Sequence, residues 1–346
     1  MKKIRLFFIV MLILAAAFYR KCDGAKEIVL KEILYEGLPV FEEKSEAMYF
    51  ENSQIIGKDD VVNEVGEVIG KDEISFDTDI QKSNDEDRAN VGDDMAGLRD
   101  LDTLRRSCYI VDQKTAMTSD LFDVDKFMAA DLRVTRDEKP RILVFHTHAH
   151  EMFADSKAGD INEGIVGAGN RFCEKLEEYG IKTIHITDSF DTVDGRLQIM
   201  GAYERMEPVI IKVLEENPSI EMVIDMHRDG VNEDYKPVTE INGKSTAKIM
   251  LFNGLCRINE NGSLTDIAEL PNPYLPTNLA LSFRLQNAMM KGNPGFSRGI
   301  YLNAYRYSLN MKDKSILAEV GAQTNTKEEI YNELDLFAKY INDVTM

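Results

Sequence analysis

The chain has 346 residues, with 41 Lys and Arg against 60 Asp and Glu, a formal net charge of −19 and 44% hydrophobic residues. That apolar fraction is enough to bury a core and excludes wholesale disorder. The acidity, with no Lys/Arg-rich run beyond the first few residues, excludes nucleic acid as the main partner, because binding a phosphate backbone needs clustered positive charge.

Residues 1–24 carry Lys2, Lys3 and Arg5, then an apolar run from Leu6 to Phe18, then Arg20 and Lys21. A basic end ahead of a short apolar run marks an export signal or a single-pass anchor in the cell membrane. Positive charge before the run places the N-terminus inside and everything beyond about Cys22 outside the cytoplasm. The run falls short of the usual span of about 20 residues. Cleavage at Ala15-Ala16-Ala17 and a retained anchor with snorkelling Lys and Arg both fit it. Residues 25–57 form a short mixed segment. Residues 58–102 are dominated by acid (Asp59-Asp60, Asp72-Glu73, Asp85-Glu86-Asp87, Asp93-Asp94) and read as an extended, solvated spacer. Residues 103–139 regain apolar side chains and read as a lead-in helix or strap on a domain filling 140–346. The cysteines, Cys22, Cys108, Cys173 and Cys256, form no C-x-x-C pair, so a thiolate zinc site or a redox dithiol is unsupported.

From Pro140 short apolar runs alternate with helical periods. Ile142–Phe145 predicts a buried strand. Ile165, Phe172, Leu176 and Tyr179 stand at helical spacing and predict a helix ending at Gly180, with Cys173 a buried thiol on its apolar side. Lys182–Thr187 predicts a strand, Arg196–Asn217 a long helix ended by Pro218, and Met222–Met226 another strand. Lys248–Phe252, Gly299–Leu302 and Ile316–Val320 predict strands, and Asn278–Met290 and Lys327–Tyr340 helices. The alternation implies an α/β sandwich with a mainly parallel sheet, in which functional residues gather at the carboxyl ends of strands.

Histidine is scarce, with five in the chain, yet three fall in His146-Thr147-His148-Ala149-His150-Glu151, directly after the strand Ile142–Phe145. A fourth, His227, ends the next apolar strand but one. Neutral imidazole is the commonest zinc ligand, and a catalytic zinc takes three protein ligands and keeps one open position. A histidine from each of two strand ends plus a carboxylate would make such a site. His148, Glu151 and His227 are the preferred ligands, with His146 a close competitor and His150 an extra candidate. His185, on the polar side of its strand, reads as structural. Asp225 shares a face with His227 and is placed to orient its imidazole. Asp229 reads equally as a turn residue before Gly230, and Arg228 as a partner of Asp229 or of a substrate carboxylate. Glu319 lies in the apolar strand Ile316–Val320, where a carboxylate is costly to bury unless paired or near a metal. Beside a zinc-bound water it would act as general base.

These residues carry a resemblance. Ile142-Leu143-Val144-Phe145-His146-Thr147-His148 with Glu151, then Val223-Ile224-Asp225-Met226-His227-Arg228-Asp229, Ser297-Arg298-Gly299-Ile300-Tyr301-Leu302, Arg306-Tyr307, and Leu317-Ala318-Glu319-Val320-Gly321 with Asn325-Thr326 and Glu328-Glu329 follow one another as in the stage II sporulation protein P family. The match runs from about Pro140 to the C-terminus. That family is similar to zinc-dependent N-acetylmuramoyl-L-alanine amidases. The resemblance implies a three-layer sandwich with a mainly parallel six-stranded sheet flanked by helices, and a Zn2+-dependent peptidoglycan hydrolase. Such an enzyme cuts the amide between muramic acid and the stem peptide, with endopeptidase activity also attributed to the family. It further implies work at the sporulation septum during engulfment, alongside stage II sporulation proteins D and M. In that role Glu319 and Arg228 are the expected catalytic residues. Glu319 moves the proton and Arg228 helps stabilise the oxyanion. Ala149-His150 departs from the family's usual Asn-Ser type stretch. The related amidases take their carboxylate some 15 residues past the first His, which makes Glu163 the positional rival of Glu151.

Two other hydrolase classes begin with H-x-H. Metallo-β-lactamase types need Asp where Ala149 stands, and barrel amidohydrolases need histidines on later strands, which the chain lacks after His227. A membrane-anchored, non-catalytic scaffold that binds glycan is the alternative from a different class.

Overall fold

The computed structural model describes residues 95–346 except Asn261, together with Val61–Val62 and Val68–Ile69, all within the unit Ile55–Met346. The expected membrane segment 1–24, the segment 25–57 and most of the acidic spacer lie outside the described residues. Among the described residues no helix is long and apolar enough to cross a membrane.

Two short strands, β1 (Val61–Val62) and β2 (Val68–Ile69), pair antiparallel. The chain then builds α1 (Leu101–Cys108), β3 (Tyr109–Val111), α2 (Val124–Ala129), β4 (Ile142–Phe145), α3 (Ile165–Glu178) and β5 (Thr183–His185). A small ribbon, β6 (Thr192–Val193) and β7 (Arg196–Leu197), precedes α4 (Ala202–Glu216) and β8 (Met222–Asp229). Next come β9 (Val238–Ile241), β10 (Lys244–Ala247), β11 (Ile249–Gly254), β12 (Arg257–Glu260) and β13 (Ser263–Asp266). The last elements are α5 (Leu275–Gly292), β14 (Ser297–Asn303), β15 (Ser315–Ala322) and α6 (Lys327–Thr345).

Seven strands form the central sheet in the order β3-β14-β11-β15-β8-β4-β5. Every neighbouring pair is parallel except β11 with β15. The fold is therefore α/β with a mainly parallel sheet flanked by helices, with seven strands where the resemblance implied six. The extra edge strand, β3, comes from the lead-in segment. Leu98, Leu104, Tyr109, Phe122 and Phe127 of that region share one buried cluster with the main domain. Edge-to-face contacts run from Tyr109 to Phe122 (5.2 Å) and on to Phe127 (6.2 Å), and Phe127 meets Phe283 of α5 at 5.4 Å. Such ring pairs are each worth about 0.5–1.5 kcal/mol beyond their buried area.

Two expectations are corrected. The end of the predicted spacer, Met95–Asp102, is folded: Leu98 is buried, and Met95 and Leu101 pack on the same core. An i, i+3 apolar series (Met95, Leu98, Leu101, Leu104) begins there, and averaging over the acidic run hid it. The helix predicted at Arg196–Asn217 starts only at Ala202. Gly201 holds φ at 79° just before it, a conformation that glycine adopts without steric cost, and Arg196-Leu197 is spent in the ribbon.

Strand alternation sorts the core. Ile142, Val144, Ile224, Met226, Ile316, Ala318 and Val320 lie against α3, α5 and α6, where Phe172 and Phe337 stack at 5.1 Å. Leu143, Phe145 and Val223 face Met206 and Ile210 of α4. Met250, Phe252, Tyr301 and Leu317 lie on that side too, beneath Leu309. The α4 face is therefore covered by one helix and a loop, which leaves room for polar groups at the strand ends.

Candidate active site

Asp225 and His227 share the parity of Val223, so they project from β8 on the α4 side. On neighbouring β15, Glu319 stands in register with His227. Directly after Glu319 the β8–β15 register shifts, and Gly321 takes φ 56° there. A Cβ on Gly321 would stand 2.5 Å from Ile330 Cδ1 and 2.8 Å from Asn325 Oδ1. The bulge and its close approach to α6 set the end of the strand that carries Glu319.

The loop after β4 closes over this point. Thr147 donates from its backbone N to Asp225 Oδ1 (3.0 Å) and from Oγ1 to Oδ2 (2.7 Å). Asp225 Oδ1 lies 2.9 Å from His227 Nε2. On the other side of the ring, Glu151 Oε1 is 3.6 Å from His227 Nδ1, and Glu151 Oε2 accepts the Arg228 backbone N–H at 2.9 Å. The start of α3 holds Glu151 by its carbonyl, which accepts from Ile165 N at 2.9 Å. The His148 ring lies 5.3 Å from that of His227 and 5.9 Å from Tyr203. His148 Nδ1 is buried with no hydrogen-bond partner among the described residues.

Electrostatics follow from this packing. Burial alone would push His227 down, but Asp225 and Glu151 outweigh it and hold the imidazole well above its ordinary value. Glu151 and Asp225 are correspondingly lowered: burial works against both, and His227 overcomes it. Glu319 is different. Burial pushes its carboxyl up to about 8 despite the pull of nearby His227, with Asp229 and Glu151 adding to the rise. Glu319 Oε2 is buried without a hydrogen-bond partner. A carboxyl poised near neutrality beside an imidazole and two carboxylates can take up and release a proton at physiological pH.

Of the residues expected from the sequence, the structure brings together His148, Glu151, His227 and Glu319, with Asp225 behind His227. It places His146 elsewhere. His146 has the parity of Ile142 and Val144 and faces α3, where Nδ1 lies 2.8 Å from Met226 O and Nε2 lies 2.8 Å from His185 Nε2. His185 Nδ1 lies in turn 2.9 Å from Asn170 Oδ1. Burial pushes His146 down to about 4 and His185 to about 3, so both rings are neutral at pH 7. Glu163 is turned to Lys327. His150 Nδ1 meets Asp191 Oδ1 at 2.8 Å. Arg228 donates from Nη1 to Asp229 O at 3.3 Å, and its Nε is buried without a hydrogen-bond partner.

Sequence reasoning missed Arg298, which is 1% exposed and pairs through Nη1 with Asp229 Oδ2 at 2.6 Å. Asp229 thus ends β8 as an ion-pair partner. An arginine inside an apolar strand run was the available signal. Nothing in the sequence pointed to Asp191 or Tyr203.

Fold and site together define an α/β protein with imidazoles and carboxylates gathered at the ends of adjacent strands. The chain belongs to the stage II sporulation protein P (SpoIIP) family, whose model matches residues 29–342. It is 23% identical over 225 residues to stage II sporulation protein P of Bacillus subtilis (strain 168), across 61% of this chain and 52% of that protein. The match therefore spans about half the length of that curated relative. Among solved structures it is similar to the N-acetylmuramoyl-L-alanine amidase AmiC2 of Nostoc punctiforme (15% identity, 59% of this chain and 94% of that one, TM-score 0.33). It is also similar to the amidase Ami1 from Mycobacterium smegmatis (10%, 60% and 97%, TM-score 0.38). A third is the N-acetylmuramoyl-L-alanine amidase from Clostridium difficile 630 (16%, 60% and 95%, TM-score 0.34).

Proposed function

We propose that the chain is a peptidoglycan hydrolase of sporulation. In this reading it is a zinc-dependent N-acetylmuramoyl-L-alanine amidase, with endopeptidase action on cross-links as a second activity. It acts outside the cytoplasm at the septum, tethered by residues 1–24, with stage II sporulation proteins D and M as partners. The observation that carries the chemistry is Glu319, in register with His227, with its Oε2 buried and without a hydrogen-bond partner among the described residues.

The donor chemistry fits zinc, which takes imidazole nitrogen and carboxylate oxygen. His148 offers a buried nitrogen without a partner, and Glu151 and Asp225, which favour a proton on His227, would equally favour a cation. Among the described residues no three such side chains already stand at ligand spacing. His148, Glu151 and His227 would hold the ion, which when bound supplies Lewis acidity toward water and the amide carbonyl. Asp225 fixes the His227 ring. Glu319 accepts the proton of the attacking water and returns it to the leaving amine. Arg228, beside Glu151, supplies positive charge where the oxyanion forms.

The test is digestion of purified peptidoglycan by the full chain, with and without a zinc chelator, reading released stem peptides by mass spectrometry. Chelator-sensitive release is expected. Glu319→Gln should keep bound zinc and lose roughly 10²–10⁴-fold in rate. Near wild-type release by that variant would show that Glu319 is not the base. A folded, zinc-loaded chain that releases nothing, even from glycan trimmed by a lytic transglycosylase, would favour the glycan-binding scaffold.

A further inference from the structure

The mechanism leaves the Arg306-Tyr307 motif without a role, and the structure ties it to Tyr203 of α4. Glu207 lies one turn after Tyr203 on the same face of that helix. Its Oε1 accepts from Arg306 Nη2 at 3.0 Å and from Asn310 Nδ2 at 3.1 Å. The loop between β14 and β15 is thereby moored to the face of α4 that carries Tyr203. It holds Tyr307 at φ 52°, a left-handed backbone that a bulky residue keeps only where its surroundings impose it. The Tyr307 ring stands edge-on to Phe252 at 4.7 Å and to Tyr203 at 5.8 Å, and Tyr203 stands edge-on to His148 at 5.9 Å. The Tyr203 ring is thus clamped between this loop and one of the proposed zinc ligands. Its hydroxyl is not held in the same way. The residue is half-buried, and its oxygen makes no hydrogen bond among the described residues and is not sealed from solvent. Burial raises the phenol well above its ordinary value, and Asp225, Tyr307, Glu319 and Glu151 add to the rise, so three carboxylates of the site surround it. Asp225 is engaged by Thr147 and His227, and Glu151 by His227 and the Arg228 N–H. A neutral phenol is a donor, and this one stands beside the base without being spent on it.

We propose that Tyr203 is a further catalytic residue, whose hydroxyl donates a hydrogen bond to the carbonyl oxygen of the scissile amide and holds it as the oxyanion forms. This rests on the amidase reading above. In that reading the amide carbon lies between the ligands His148 and His227 and the base Glu319. The Tyr203 ring borders His148 and its hydroxyl stands in the field of Glu319, so the free donor faces the same gap from the α4 side. Asp225 and His227 project from β8 toward that side too. A ring fixed on both flanks keeps its donor aimed before the charge develops, which is what makes such a donor effective. The phenol proton stays on Tyr203 throughout. The proton of the attacking water passes to Glu319 and on to the leaving amine as the C–N bond breaks.

The test uses the full chain with a soluble muramoyl tetrapeptide and with purified peptidoglycan. It measures kcat and KM separately, zinc content, Tm, and by calorimetry the affinity for a phosphinate analogue of the scissile amide. Tyr203→Phe keeps the ring against His148 and Tyr307 and removes only the oxygen. Losing one oxyanion donor lowers kcat by about 10²–10³-fold. The expected result is a kcat loss of that order, a similar weakening of the phosphinate, and KM, zinc content and Tm held. Tyr307→Phe, which removes the neighbouring hydroxyl, should stay near wild type. A Tyr203→Phe protein with wild-type kcat and phosphinate affinity would overturn the proposal. A raised KM at unchanged kcat would overturn it too, because the hydroxyl would then serve substrate and transition state alike. Loss of zinc or of Tm in Tyr203→Phe would assign the residue a purely structural role beside His148. If the wild type releases stem peptide from neither substrate, the amidase reading falls and takes this proposal with it. If the wild type cleaves and Tyr203→Phe equals it, only the present proposal falls.

Discussion

Gly169→Ala should destabilise the protein, although it replaces glycine by the best helix former inside a helix. At an unconstrained helical site the change is worth roughly 0.5–1 kcal/mol in favour of alanine. Here the new Cβ would stand 2.6 Å from His146 Nε2 and 2.6 Å from His185 Nε2, and 2.8 Å from His146 Cε1, where ordinary contact is 3.4–4 Å. Relief requires a shift of roughly 1 Å. The rings are not free to give it: His146 is held at Met226 O and His185 at Asn170. Overpacking a filled core costs about 1–3 kcal/mol. Parting the two imidazoles instead leaves buried nitrogens unsatisfied, at about 1–3 kcal/mol each. After subtracting the propensity gain, the net loss is about 0–2.5 kcal/mol, with Tm lower by about 2–4 °C per kcal/mol for a domain of this size. Urea denaturation followed by circular dichroism would measure it. Adding His185→Ala should make the double variant less damaged than the sum of the single ones, because the methyl then has space. A Gly169→Ala protein more stable than wild type by the propensity increment would refute the reasoning.

Arg298→Met should cost about 3–5 kcal/mol in chemical denaturation, since it strands Asp229 as a buried charge; a loss under about 1 kcal/mol would show that water reaches the pair. Thr326→Ala removes the capping box at the start of α6 and should cost about 1 kcal/mol, read as a lower urea midpoint at unchanged slope. Burial works against the Glu329 carboxylate, but Lys236, the Thr326 backbone N–H, Asn325 and Ser245 overcome it and hold it below its ordinary value of 4.5. Its contribution is therefore present above about pH 4.5 and fades as pH falls through the lower folded value. Glu329→Gln should flatten the acid limb of the stability curve, and an unchanged limb would place the acid sensitivity elsewhere. Cys173 and Cys256 are buried, which pushes their thiols up to about 12 and about 11, and Cys108 is fully buried. In a Cys22→Ser background, a thiol reagent at pH 8 should modify the native protein only at the rate of unfolding.

Much of this protein can be read from its order of residues alone. The apolar run Ile142–Phe145 had to be a strand buried on both faces, because no polar residue breaks it, and Met222–Met226 carries a single polar residue, Asp225. The Ile165–Glu178 helix declares itself through its spacing and the glycine that ends it. The period of two along a strand already places Asp225 with His227. Sorting the loop histidines was beyond that reach. His146 and His148 differ by two residues and share a motif, yet they follow the end of β4 at Phe145 in different directions. The last strand residues send His146 to the α3 face, into the pocket that Gly169 leaves open, and the loop returns His148 toward His227. Glu151 and Glu163 were rivals on spacing, and packing separated them: one lies beside His227, the other is drawn to Lys327 on α6. Arg298 reaching Asp229, and Asp191 reaching His150, join residues 69 and 41 positions apart. Local propensity carries no information across such separations. Only the closing of the sheet and the seating of its loops bring those charges into contact, and they stay because a buried charge left without a partner would cost more than the fold can spare.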